Sequence, residues 1–187
     1  MKLYASYTSP FARHCRIALL ESGLECEFVE TDHAQSAQNS ATKKVPYLED
    51  GDVKLTDSSS ILFYIAEKSD CKFIQTAQEQ EMFSMANTCL DSVINVFLLE
   101  VDGVDEKSSG YIQRQKDRVT TVLQELDKAA ASHVAGTALN AGEIRLACLI
   151  DWGTARKRIS LDGLSNLQAL LAQANKEEHF KATAMPS

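Results

Sequence analysis

The chain has 187 residues, of which 44% are hydrophobic, 24% charged and 7% aromatic, a balance that excludes a disordered or fibrous chain and allows one domain or two small ones. Nineteen Lys and Arg against 26 Asp and Glu leave a net charge of −7, divided as −3 up to residue 75 and −4 beyond it. Neither part is basic, so nucleic acid is not expected as a partner, because phosphate binding depends on clustered cations. Five scattered cysteines without a Cys-x-x-Cys pair, and four histidines without ligand spacing, predict a protein of the reducing cytoplasm with no metal and no disulfide framework. The longest uninterrupted apolar run, Ile61 to Ala66, is too short to span a bilayer, and the N-terminus lacks an apolar run of signal-peptide length. No membrane partner is expected.

In chain order, Lys2 to Ser6 reads as a short strand. A helix is predicted from Pro10, a residue without the N–H that a first helical turn leaves unused, and it ends at Gly23. Cys26 to Val29 reads as a second strand, and the polar stretch Asp32 to Lys44 as a loop or weak helix. Val45 to Leu48 and Val53 to Leu55 flank an acidic turn that contains Asp50-Gly51, a hairpin signal. A helix over Ser58 to Lys68 follows. The order β-α-β-(loop or helix)-β-β-α predicts a small mixed sheet with helices packed on it.

Beyond residue 75 the periodicity is helical throughout. One long stripe runs from Met82 to Phe97 and a second from Ile112 to Ala130. Asn140-x-x-Glu143 reads as a capping box opening a third helix, which is apolar nearly all round from Ile144 to Trp152 and so belongs at the centre of a bundle. Leu164 to Ala174 supplies another amphipathic helix, and Lys176 to Ser187 is a tail. The basic cluster Arg156-Lys157-Arg158 suits a helix end, where cations oppose the macrodipole. The boundary between the two textures falls near residues 69–78.

Three segments could carry chemistry. Ser9-Pro10-Phe11-Ala12-Arg13 places Ser9 between a strand and a helix start, where it either caps the helix or uses the positive end of the dipole to stabilise a thiolate. Val45-Pro46 precedes a strand; an ordinary trans proline accounts for it, whereas a cis bond would turn the Val45 main chain outward to pair with an extended peptide. Thr56-Asp57-Ser58-Ser59-Ser60 opens a further helix, and either caps it or receives the carboxylate and amino groups of a ligand.

Taken together in this order, Ser9-Pro10-Phe11-Ala12-x-x-x-Arg16, Asn39, Lys44-Val45-Pro46-Tyr47-Leu48, Asp50-Gly51 and Leu55-Thr56-Asp57-Ser58-Ser59-Ser60-Ile61 resemble the N-terminal domain of the glutathione S-transferase superfamily. The resemblance implies an α/β thioredoxin-like, glutathione-binding domain over residues 1–75 and an all-α helical-bundle domain over 80–187. It further implies that Val45 pairs by main chain with the cysteinyl unit of glutathione, that Pro46 is cis, that Asp57 and Ser58 hold the γ-glutamyl amino and carboxylate groups, and that Lys44 reaches the glycine carboxylate. Ser9 would donate toward the sulfur, with Tyr7 as the alternative donor. The implied activity is conjugation of the glutathione thiolate to a small electrophile by a cytoplasmic homodimer. Two departures leave a non-catalytic interaction protein as the alternative: the chain is short, and the family's Ala-Asp at the start of the central bundle helix is here Gly142-Glu143, whose glycine is expected to weaken that start. Ser9 stands where redox members carry cysteine, so reductase chemistry through a mixed disulfide is disfavoured.

Overall fold

The computed structural model describes residues 1–107, 109–133 and 136–186, with the His33 side chain outside what is described. Two compact units result, one formed by 1–73 together with 175–187 and the other by 74–174.

The first unit contains β1 (Lys2–Ala5), α1 (Pro10–Ser22), β2 (Glu27–Glu30), α2 (His33–Asn39), β3 (Tyr47–Asp50), β4 (Val53–Leu55) and α3 (Ser58–Glu67). The strands form one sheet in the order β2-β1-β3-β4. β1 and β2 run parallel, Leu3 opposite Phe28, which requires the crossover that α1 supplies. β3 is antiparallel to both neighbours, with Leu48 opposite Leu3 on one side and Leu55 on the other. Leu3, Ala5 and Leu48 are buried, as are Cys15 and Ile17 of α1 and Ile61, Leu62 and Ile65 of α3. α1 ends at Gly23, whose φ of 65° is the left-handed conformation that a residue without Cβ adopts at little cost.

Two strands differ in their bounds from the sequence pattern, and one open alternative is decided. β3 begins at Tyr47 rather than Val45, since Pro46 has no N–H to give the ladder. β2 is displaced by one residue through its parallel pairing with β1. The stretch after Asp32 is a helix, held by a capping box in which the Asp32 carboxylate accepts the Gln35 N–H at 2.8 Å and the Gln35 side chain accepts the Asp32 N–H at 3.4 Å.

The tail is also corrected. Residues 175–187, expected with the helical half as part of 80–187, belong to the first unit. The short helix near the end, Glu178–Ala182, lies on α1, where the buried Arg13 donates through Nη2 to the Phe180 carbonyl at 2.9 Å and stands 3.8 Å over the Phe180 ring.

The second unit is all helical: α4 (Ala77–Val101), α5 (Gly110–Ala130), α6 (Ala141–Ala155) and α7 (Ser165–Ala174), with the tail helix then α8. α4 is long and apolar enough, by length and composition alone, to cross a membrane, and its Met82, Phe83, Ala86, Cys89, Leu90, Val93 and Val96 are buried in this bundle. α6 is buried over most of its length and opens with the expected box, Asn140 Oδ1 accepting the Glu143 N–H at 3.0 Å and Glu143 Oε2 accepting the Asn140 N–H at 2.9 Å. Glu143 also meets His133 Nδ1 at 2.9 Å.

Gly142 has a specific reason at this start. A Cβ there would stand 2.8 Å from the Glu79 carbonyl and 3.2 Å from Met82 Cβ, so the backbone of α6 approaches α4 more closely than any side chain permits. Rather than weakening the helix start, the glycine admits a contact in which Glu79 Oε1 accepts the Ala141 N–H at 3.0 Å.

Candidate functional site

Strand directions bring the three chemical segments to one end of the sheet. β3 is antiparallel to β1 and β4, so the loop leaving β1 toward Ser9, the chain entering β3 through Val45-Pro46 and the chain leaving β4 toward Asp57 all emerge at the same end of the sheet. This convergence follows from the register pairs Tyr4 with Tyr47 and Leu48 with Leu55.

Ser9 is the N-cap of α1, with extended backbone (φ −77°, ψ 121°). Its hydroxyl oxygen accepts the Ala12 N–H at 3.3 Å, its N–H donates to the Ser6 carbonyl at 3.1 Å, and its carbonyl accepts the Arg13 N–H at 2.9 Å. The hydroxyl proton has no acceptor among the described residues. Capping and donation are therefore compatible roles for one side chain, because a hydroxyl has both lone pairs and a proton. Nearby, Ser6 Oγ and Thr8 Oγ1 bond each other at 3.0 Å.

The Val45-Pro46 bond is cis. Pro46 is buried and Val45 half-buried, and the Val45 N–H and C=O make no hydrogen bond within the chain among the described residues. An extended peptide laid beside Val45 would meet one donor and one acceptor with the spacing of a strand edge. Lys43, just before, has a φ of 55° and donates its N–H to the Ser40 carbonyl at 2.9 Å, while Thr42 Oγ1 donates to the Thr56 carbonyl at 3.2 Å. That last bond fastens the loop before Val45 to the chain entering α3. Lys44 is exposed beside it.

Asp57 is the N-cap of α3, accepting the Ser59 N–H through one carboxylate oxygen at 2.8 Å. Its side chain is exposed and its second oxygen has no partner among the described residues. Ser58 is buried, 4% exposed, and its carbonyl accepts from Cys15 Sγ at 3.8 Å. Cys15 itself is fully buried in the core, away from any catalytic use.

Tyr7 occupies a different side. Its ring packs on Phe28 of β2 with centroids 4.3 Å apart and lies 4.8 Å under the Arg16 guanidinium, so it faces the edge of the sheet opposite to β3 and β4. Tyr4 donates to Glu49 Oε2 at 3.1 Å and stacks on Tyr47 at 4.5 Å. Burial and the bond to Glu49 push the Tyr4 hydroxyl above its ordinary value, and burial and Glu49 do the same to Tyr47, which Thr31 and Asn39 oppose by hydrogen bonding. Among the described residues no group of three His, Cys, Asp or Glu side chains is placed to hold a metal ion.

Sequence patterns do not announce the partners of Arg13, Thr42 and Glu79, because Phe180, Thr56 and Ala141 lie 167, 14 and 62 residues away. Phe180, in the tail over residues 176–187, supplies the aromatic ring that receives Arg13.

Comparison with known proteins bears on the family and the fold. Residues 3–73 match the family described as glutathione S-transferase, N-terminal domain. Glutathione S-transferase Z1 of Arabidopsis thaliana is 39% identical over 75 residues, covering 36% of this chain and 34% of that protein. The chain matches about a third of the length of such curated relatives. A glutathione S-transferase from Methylobacillus flagellatus KT, solved with glutathione bound, shares the fold over 99% of both chains with a TM-score of 0.87 at 21% identity. A maleylacetoacetate isomerase from Methylobacterium extorquens AM1, solved with malonate and glutathione, shares it over 98% of this chain and 95% of that one with a TM-score of 0.71, again at 21% identity.

Proposed function

We propose that this chain, whose residues 3–73 match the glutathione S-transferase N-terminal domain family, is a glutathione transferase in which residues 1–75 bind glutathione at the common sheet end and Ser9 activates its sulfur for attack on a small electrophile. The observation that carries this reading is the Ser9 hydroxyl at the start of a 13-residue helix, its proton uncommitted, at the same sheet end as the unpaired Val45 main chain and the open Asp57 oxygen.

In this reading Val45 pairs with the cysteinyl unit of glutathione, next to the cis bond at Pro46. Asp57 takes the γ-glutamyl ammonium and Ser58 the carboxylate at the N-terminus of α3, where backbone N–H groups favour anions. Lys44 reaches the glycine carboxylate as an exposed point charge. The thiol proton leaves to solvent, the thiolate keeps the Ser9 hydrogen bond, and the sulfur forms its new bond to carbon either as a leaving group departs with the electron pair, as from a chloronitroaromatic, or as the C=N electron pair of an isothiocyanate moves to nitrogen, which takes a proton from solvent. An ordinary thiol near pKa 8.5 is only a few per cent ionised at neutral pH, so lowering it by about two units, roughly 2.7 kcal/mol, would raise the reactive fraction most of the way to one. One hydroxyl donor and a helix N-terminus are of that size.

The enzyme is proposed to be cytoplasmic and to act as a homodimer. Sedimentation at micromolar concentration tests the second point, with a species of twice the 20.6 kDa chain mass expected and a monomer counting against it. The main test is turnover of glutathione with a chloronitroaromatic and with an isothiocyanate. Absence of conjugation with either, in protein that binds glutathione, would remove the transferase reading and favour an interaction protein with a retained peptide site.

A further inference from the structure

Two cavities are lined by residues other than Ser9, Val45 and Asp57. The larger, about 480 Å³, lies within the helical unit beside Val93, Val96 and Leu123. Its cations are mostly matched, Lys116 by Glu100 and Glu106, Arg158 by Glu100. The smaller, about 290 Å³, lies in the sheet unit at the β2 edge and is different in kind. Leu19 and Leu20 of α1, Leu24 after its cap and Phe28 of β2 form apolar walls, and Arg16, Tyr7 and Thr183 share the lining.

Arg16 is half-buried, and no carboxylate lies within ion-pair distance of it among the described residues. Its guanidinium stands 4.8 Å over the Tyr7 ring and 5.5 Å over the Phe28 ring, and one N–H donates to the Thr183 carbonyl at 3.2 Å. Burial, and the like charge of Arg13, press its protonation below the ordinary value, as befits a cation held in apolar surroundings without a counter-ion. The Tyr7 hydroxyl likewise has no partner among the described residues. Cys26, also in the lining, has its thiol pushed up by burial and so adds a neutral wall.

We propose that this pocket binds a small amphipathic monocarboxylate, with its chain against Leu19, Leu20, Leu24 and Phe28 and its carboxylate on Arg16. A planar guanidinium gives a carboxylate two parallel charge-assisted hydrogen bonds, and here the desolvation of the cation has already been met by the fold. Tyr7, in the same lining, supplies a further hydroxyl donor. One cation suits one negative charge; a phosphate dianion would bring an uncompensated second charge into the apolar lining. The volume stands at the small end of ligand pockets and suits roughly ten non-hydrogen atoms, the size of octanoate.

Calorimetric titration with octanoate and with the neutral octanol decides the matter. Octanoate should bind once per chain with a Kd on the order of 0.1–1 mM, and octanol at least about tenfold more weakly. Arg16→Gln should weaken octanoate by about tenfold and leave octanol unchanged, whereas Leu24→Trp, which fills the cavity from its half-exposed wall, should abolish both. Saturating glutathione should leave the octanoate Kd unaltered, since the proposed peptide site lies at the other edge. Equal affinity for octanoate and octanol, displacement by glutathione, or no octanoate binding by the wild-type chain overturns the proposal. Should Arg16→Gln fail to fold, the octanoate-to-octanol ratio of the wild type and the loss in Leu24→Trp remain decisive.

Discussion

The Ser9 oxygen accepts the Ala12 N–H while its proton stays unused, so removing the hydroxyl does two separable things. Loss of the cap in Ser9→Ala should cost about 1 kcal/mol of stability, seen as a melting point lowered by about 2–4 °C. Loss of the donor should raise the pKa of bound glutathione's thiol by about one to two units, because a hydrogen bond to a charged acceptor is worth roughly 1.5–3 kcal/mol. Thiolate absorbance titrated against pH separates the two effects, and an unshifted titration would take the sulfur role from Ser9. Asp57 presents the complementary case. Its carboxylate caps α3 with one oxygen, and Asp57→Asn keeps an acceptor for the Ser59 N–H while removing the charge offered to the γ-glutamyl ammonium. Since the group is exposed and screened, glutathione affinity should fall by only about three- to tenfold, with the bound thiol's pKa unmoved. Equal pKa shifts in the two variants would contradict the division of labour between binding and activation.

At the level of elements, the contact of α4 with the start of α6 opposes two known effects of a Gly to Ala change. Alanine in place of Gly142 gains about 1 kcal/mol of helix propensity, yet its Cβ would lie 2.8 Å from a backbone carbonyl, an overlap that a flexible side chain cannot relieve. Overpacking of this kind costs about 1–3 kcal/mol, and separation of the helices would also break the Glu79 to Ala141 bond, so Gly142→Ala should be net destabilising, with a lower urea midpoint. A raised midpoint would show that the close approach is not maintained in solution. The same contact explains what the sequence could disclose. Local punctuation was legible: the Pro10 start, the Gly23 stop, the Asp50-Gly51 turn and the Asn140 box all appear as the pattern predicts, because each depends on residues within four positions. Ser9, Val45-Pro46 and Asp57-Ser58 could be picked out as candidates because each stands at or just before an element start, whereas the cis bond at Pro46 was implied by the family resemblance alone, the residues themselves fitting a trans proline equally. The α2 helix was within reach through its Asp32-x-x-Gln35 box, though no apolar period marks it. The docking of α8 and the need for Gly142 were not, since both are set by partners distant in the chain.

Across the whole molecule, the five free cysteines report on the two units separately. Cys15 is buried in the sheet unit, and Cys89 and Cys148 are buried in the helical one, while Cys26 and Cys71 are only half-buried. Burial pushes the Cys89 thiol up to about 12. At pH 8 its thiolate fraction is then about 10⁻⁴, against roughly a quarter for an ordinary cysteine, so its chemistry alone is slowed by about 10³-fold before access is considered. Cys26 is pushed up as well, in the same direction and by the same cause. A brief exposure of the native protein to iodoacetamide at pH 8, read by peptide mass spectrometry, should therefore label Cys71 first and Cys26 more slowly. Cys15, Cys89 and Cys148 should stay unmodified until urea unfolds the unit that holds each. Labelling repeated through the urea transition turns this into a test of the units themselves: Cys89 and Cys148 should become reactive at one urea concentration, since they share the buried face of one bundle. Prompt native labelling of Cys89 would mean that α4 opens locally far more often than a core helix should, because reaction would then follow the population of the open form rather than the buried thiol.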